Sequence, residues 1–131
     1  MSRGRARDFL LGDERLSRRE RLRLRSDFAR VFARKRRAAD DLMVVYVAPN
    51  GLPWSRLGLS VGRRIGGAVQ RNYVRRGLRE AFRTSKGRLP GGLDIVCVAL
   101  PKAKERRCDL VSSLCALTLK AAGELLNDNR A

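Results

Sequence analysis

Apolar residues fall along this chain in blocks whose spacing changes from one block to the next, and the spacing predicts the elements. From residue 68 to about 84, Val74, Leu78, Ala81 and Phe82 recur at i, i+4, i+7 and i+8, the buried stripe of an amphipathic helix roughly five turns and about 25 Å long. Residues 42–48 (LMVVYVA) are β-branched and aromatic and lie between Asp40-Asp41 and Pro49-Asn50-Gly51, so they read as a strand followed by a turn. Residues 56–62 form the next strand, expected to pair back antiparallel on the first. Residues 93–100 are nearly all apolar and end at Pro101, the pattern of a central strand covered on both sides. Ser26 suits the N-cap of a short helix beginning at Asp27, in which Phe28, Val31 and Phe32 share a face. Leu110, Leu114, Leu117, Ala121 and Leu125 repeat at helical spacing in a last helix, capped by Asp109 and reaching about residue 127. Residues 1–20 show neither period. Their arginines, with only Phe9, Leu10 and Leu11 as an apolar cluster, predict a mobile, disordered basic extension, leaving 21–131 as one domain.

Composition narrows the partners. A chain of 131 residues holds one domain with a modest core. Its net charge is +17 and its pI near 11.5, and most of the positive charge is arginine, which forks onto phosphate oxygens or stacks on bases; nucleic acid is the leading partner. A G+C-rich genome would favour arginine over lysine anyway, so that ratio decides nothing by itself. The chain has no histidine, which removes the commonest general base and metal ligand. Cys97, Cys108 and Cys115 are odd in number and lack paired ligand spacing, so neither a zinc site nor a disulfide framework is indicated. No run approaches the roughly 18 apolar residues of a membrane span and no apolar segment opens the chain, so the expected compartment is the cytoplasm, with no membrane partner.

Charge and pattern meet on the 68–84 helix. Arg71, Asn72, Arg75, Arg76 and Arg79 fall within less than half of its circumference, beside the apolar stripe, so one polyanion can engage them together. Just before it, Arg63 and Arg64 follow the strand, and Gly66 and Gly67 leave the backbone bare where the first helical N–H groups lack partners, a turn suited to phosphate. Each feature alone also fits a tight turn or a solvated helix; their combination points to phosphate. A nucleotide-binding loop is excluded, because no Gly-Lys-Ser/Thr follows the glycines and no G-x-G-x-x-G opens the helix.

The run RLGLSVGRRIGGAVQRNYVRRGLREAFR, residues 56–83, resembles the signature of the bacterial ribonuclease P protein family. The resemblance is carried by Gly58, Ser60 and Val61, by Arg63, Arg64, Ile65, Gly66, Ala68 and Val69, and by Arg71, Asn72, Arg75, Arg76, Arg79, Glu80, Phe82 and Arg83. Tyr73 departs from it, standing where the second arginine of Arg-Asn-Arg is expected. The resemblance implies an α+β sandwich in the order α-β-β-β-α-β-α, with helices packed on a mostly antiparallel central sheet and a left-handed β-α-β crossover in place of the usual right-handed one. It further implies that Arg63, Arg64 and the arginine arc bind a catalytic RNA, with Gly66 and Gly67 as the phosphate turn. Phe28, Phe32 and Tyr46 would line a cleft for the 5′ leader of precursor tRNA, although packing alone accounts for such aromatics too. No catalytic residue is expected in the protein: the RNA subunit would cut with Mg2+, while the protein, binding no metal by itself, improves substrate affinity and local metal binding and needs no obligate protein partner. Adjacent Asp40 and Asp41 on a strand edge point apart and make no catalytic pair. Two rivals are a ribosomal-type RNA-binding protein, which predicts no dependence on a leader, and a nuclease with its own active site, which predicts cleavage by the isolated protein.

Overall fold

The computed structural model describes residues 16–130, with side chains through residue 123. Its elements follow as α1 (Arg25–Arg34), β1 (Arg37–Ala39), β2 (Met43–Pro49), β3 (Arg56–Ser60), α2 (Ala68–Ser85), β4 (Leu93–Ala99) and α3 (Leu110–Arg130), the order that the family resemblance implies. The strands form one four-stranded mixed sheet, β1-β2-β4-β3, antiparallel at β1–β2 and β2–β4 and parallel at β3–β4.

The expected pairing of β3 back onto β2 does not occur, because β4 lies between them. Its residues are buried almost end to end, which requires cover on both faces and a neighbour on each side. The connection over 50–55 therefore passes across the end of β4 and is fastened there. Asn50 N donates to Gly92 O at 2.9 Å, Ser55 Oγ donates to Pro90 O at 2.9 Å, and Leu93 N donates to Ser55 Oγ at 3.1 Å. An extended segment of this length reaches about 20 Å, ample for the roughly 10 Å spanned by two strand spacings.

Strand alternation sorts the side chains onto two faces. Met43, Val45 and Val47 of β2, Leu57 of β3, and Ile95 and Cys97 of β4 bury against Val74, Leu78 and Phe82 of α2 and Leu110 and Leu114 of α3. On the opposite face Ala48 and Val96 bury against Leu22 and Val31, with Phe28, Tyr46 and Val98 packed alongside. Burial pushes the Cys97 thiol up to about 12, so it is chemically quiet. The helix ends differ from expectation. Ser26 lies inside α1, whose N-cap is Leu24: Asp27 N and Phe28 N donate to the Leu24 carbonyl at 3.0 and 3.2 Å. Lys35 closes α1 with φ 60, a left-handed cap that glycine would favour. α3 continues to Arg130, and Leu125 lies outside the described side chains.

Residues 16–20, which the sequence pattern assigned to the basic extension, form a turn docked on the body. Leu16 is buried, Glu20 accepts from Lys86 Nζ at 2.7 Å, and Trp54 Nε1 donates to Arg19 O at 2.9 Å, making Trp54 the anchor of its loop. Residues 1–15 lie outside the described residues. Among the described residues no helix is long and apolar enough to cross a membrane.

Candidate nucleic-acid interface

α2 builds one side of the interface, seated by Val74, Leu78, Ala81 and Phe82, all buried. At its start Gly66 has φ 146, and a Cβ there would lie 2.0 Å from Gln70 Oε1, so no other residue fits without displacing that side chain. Gln70 Oε1 accepts from the Gly67 N–H at 2.9 Å. The glycine turn is thus partly closed by the protein itself. What it offers an anion is the N–H groups of Ala68 and Val69, which have no intrahelical acceptor, with Arg63 and Arg64 exposed beside them.

Along the helix Asn72 and Arg76 are exposed, while Arg71, Arg75 and Arg79 are half-buried. Arg75 Nη1 donates to Asn72 Oδ1 at 3.0 Å. Burial, together with the charges of Arg21 and Arg75, pushes the Arg79 guanidinium pKa below its usual value. Burial is the larger cause, and the like-charge part is one that a bound polyanion relieves. Arg21, Arg23, Arg75 and Arg79 line, with Phe28 and Leu57, a cavity of about 200 Å³ at the β3 edge. It joins the basic helix to the aromatic cluster, two features the sequence presented separately.

The aromatic cluster follows from sheet register. On the α1 face, Arg56, Asp94 and Ala48 form one row, Gly58, Val96, Tyr46 and Arg37 the next, and Ser60, Val98, Val44 and Ala39 a third. α1 covers the first rows, and Ser60, Val98 and Val44 stay half-buried. Phe32, 37% exposed, borders this strip and meets Tyr46 edge-on at 4.8 Å between ring centroids. Phe28 lies 6.5 Å from Phe32 and rests on Gly58, where a Cβ would come within 2.7 Å of its ring. The three aromatics therefore stand together, with Phe28 the most committed to packing. Arg37, whose Nη1 donates to the Tyr46 hydroxyl at 3.4 Å, brings a cation to the strip. Arg37, Val44 and Val98 were not predicted, since only strand register reveals them.

Asp94 was also missed, hidden in an apolar run. It has no exposed surface, yet accepts from Arg56 Nε and Nη2 at 2.8 and 2.7 Å, from Asn50 Nδ2 at 2.9 Å, and from Arg30 Nη2. Burial alone would raise its pKa, but the hydrogen bonds from Arg56 and Asn50 and the charges of Arg56 and Arg30 hold it below the usual carboxylate value. A lone aspartate in an otherwise apolar strand was the available signal. Asp40 is used structurally: Oδ1 accepts from Leu42 N and Met43 N at 2.8 and 3.1 Å and Oδ2 from Ser113 Oγ, while Asp41 stands 3.8 Å from Lys102 Nζ. Among the described residues no group of three or more cysteine, aspartate or glutamate side chains is placed to hold a metal ion.

A family model described as Ribonuclease P matches residues 16–122. The ribonuclease P protein component of Thermotoga maritima is 45% identical over 92 residues, 70% of this chain and 79% of that protein. That of Pelotomaculum thermopropionicum is 38% identical over 101 residues, 77% of this chain and 90% of that protein. Among solved structures, the RNase P protein of Thermotoga maritima superposes with a TM-score of 0.67 at 37% identity, covering 74% of this chain and 93% of that one. The Staphylococcus aureus RNase P protein gives a TM-score of 0.69 at 32% identity, covering 79% and 94%.

Proposed function

The chain belongs to the ribonuclease P protein family, a component of an endoribonuclease that works with an RNA partner, and from that premise we propose a division of labour between its two surfaces. The arc of Arg71, Asn72, Arg75, Arg76 and Arg79, with Arg63, Arg64 and the Gly66-Gly67 turn, grips the catalytic RNA. The strip bordered by Phe28, Phe32 and Tyr46 receives the single-stranded 5′ leader of precursor tRNA, in the cytoplasm. Cleavage belongs to the RNA, with Mg2+ held there; in the protein, Asp94 is engaged by its arginine cluster and Asp40 by its turn. The protein's part is to bind and orient.

The observation that carries this reading is the half-open sheet strip beside an edge-on aromatic pair, whose neighbour Phe28 also lines an arginine-walled cavity shared with the basic helix. A base stacked on such a ring contributes about 1–3 kcal/mol by side-chain truncation. The test is reconstitution with a bacterial ribonuclease P RNA at low magnesium, measuring affinity for precursor tRNA with and without its leader. Tyr46→Ala and Phe32→Ala are expected to weaken binding only of the leader-bearing substrate. They serve better than Phe28→Ala, since Phe28 also packs on Gly58. Equal loss for both substrates removes the leader assignment.

A further inference from the structure

We propose that Arg107, carried on the turn before α3 and laid across the Tyr73 ring, is a further RNA-contacting cation that widens the arginine arc of α2; the inference rests on the reading of that arc as the catalytic-RNA face. The Arg107 guanidinium carbon lies 4.6 Å from the Tyr73 ring centroid, within cation–π range. Both partners reach solvent, Tyr73 at 44% exposure and the Arg107 side chain at 35%. The approach depends on Gly77. A Cβ at that position would stand 2.9 Å from Arg107 Nε and 2.9 Å from Leu110 Cδ1. Glycine is unfavourable in a helix interior, and this close crossing accounts for its place there.

Position on the helix gives the pair its meaning. At about 100° per residue, the side chains succeed one another around α2 as Arg71, Arg75, Arg79, Asn72, Arg83, Arg76, Glu80 and Tyr73. The ring thus sits on the border farthest from the β3 edge, and Arg107 above it adds a cation about 60° beyond Arg76, on the far side of Glu80. Glu80 Oε1 is 3.9 Å from Arg107 Nη2, too far for a strong hydrogen bond, so the guanidinium keeps donors for a phosphate. Its stem crosses α2 at Gly77, with Nε buried and without a hydrogen-bond partner among the described residues, while the head stays at the surface. A guanidinium already held flat on a ring loses little freedom when it meets an RNA backbone.

The full chain is titrated with ribonuclease P RNA across a series of monovalent salt concentrations, with melting temperatures measured alongside. Arg107→Gln is expected to lower the log–log salt slope by roughly 0.7–0.9 and to weaken binding about four- to sixfold at about 0.15 M salt. Tyr73→Phe, which keeps the ring, should leave both unchanged, and Tyr73→Leu should reproduce part of the loss. A pair that merely ties α2 to α3 would shift the melting temperature and leave the slope alone, which overturns the inference. Arg76→Gln separates the two levels: if it flattens the slope and Arg107→Gln does not, only the inference fails; if neither does, the helix-face reading fails with it. Should Arg107→Gln not fold, equal slopes for Tyr73→Leu and Tyr73→Phe overturn the inference.

Discussion

With no surface in water, the Asp94 carboxylate depends wholly on the donors around it, and those donors come from three segments: Arg30 of α1, Asn50 of the 50–55 loop and Arg56 of β3. One side chain therefore sets where α1 lies on the sheet, and with it the position of Phe28 and Phe32. Asp94→Asn keeps the shape but leaves Arg30 and Arg56, among the described residues, with only Asp27, 3.9 Å from each, as a carboxylate partner, and removing one partner of a buried ion pair typically costs about 3–5 kcal/mol, with Asp27 lowering the loss here. Urea unfolding at neutral pH would measure it. The pH dependence has a definite sign. Because the folded-state pKa of Asp94 lies below its unfolded value, its contribution is complete above the ordinary aspartate value of about 3.9 and is lost as pH falls further, through the folded pKa. The unsubstituted protein should lose stability in that acid range, and Asp94→Asn should show a shallower loss there. Identical acid profiles would mean that Asp94 is not the group responsible.

Among the elements, those with a long regular period were legible and those set by neighbours were not. Val74, Leu78, Ala81 and Phe82 announced α2 to within a residue of its observed end, because the stripe holds its period through the C-terminal half of an 18-residue helix. β1, three residues long with the burial pattern exposed-buried-exposed, offers no period to read. The β2–β3 hairpin failed for a different reason: succession in sequence suggested pairing, whereas the apolar run of β4 demanded the central place. The candidate site divides the same way. The arginine arc is a property of one helix and was readable; Tyr46 was named through the family resemblance, but the strip that Val44 and Val98 form beside it is a property of register between strands, and was not readable. Register also gives β3 a testable role. Phe28 rests on Gly58, where a Cβ would come within 2.7 Å of the ring, so Gly58→Ala must push that ring outward. The expected outcome is a leader-specific loss of affinity resembling that of Tyr46→Ala, with a stability loss of about 1–3 kcal/mol from overpacking. Unchanged leader affinity in a folded Gly58→Ala protein would show that Phe28 serves the core alone.

For the molecule as a whole, a net charge of +17 attracts any polyanion, so affinity alone cannot tell the two surfaces apart. Salt can. Each phosphate neutralised by an arginine releases counterions and adds roughly 0.7–0.9 to the log–log slope, whereas a base stacked on a ring releases none. Arg71→Gln should therefore weaken assembly with the catalytic RNA and flatten its salt dependence by about one contact, with no difference between substrates that carry and lack the leader. Tyr46→Ala should do the reverse, lowering leader-dependent affinity at every salt concentration while the slope for assembly stays put. Arg75 lines the cavity it shares with Phe28 and Arg79, so Arg75→Gln is the variant in which both effects should meet. If Tyr46→Ala instead flattened the assembly slope, the strip beside α1 would be a contact for the catalytic RNA, and the leader would have to lie elsewhere on the protein.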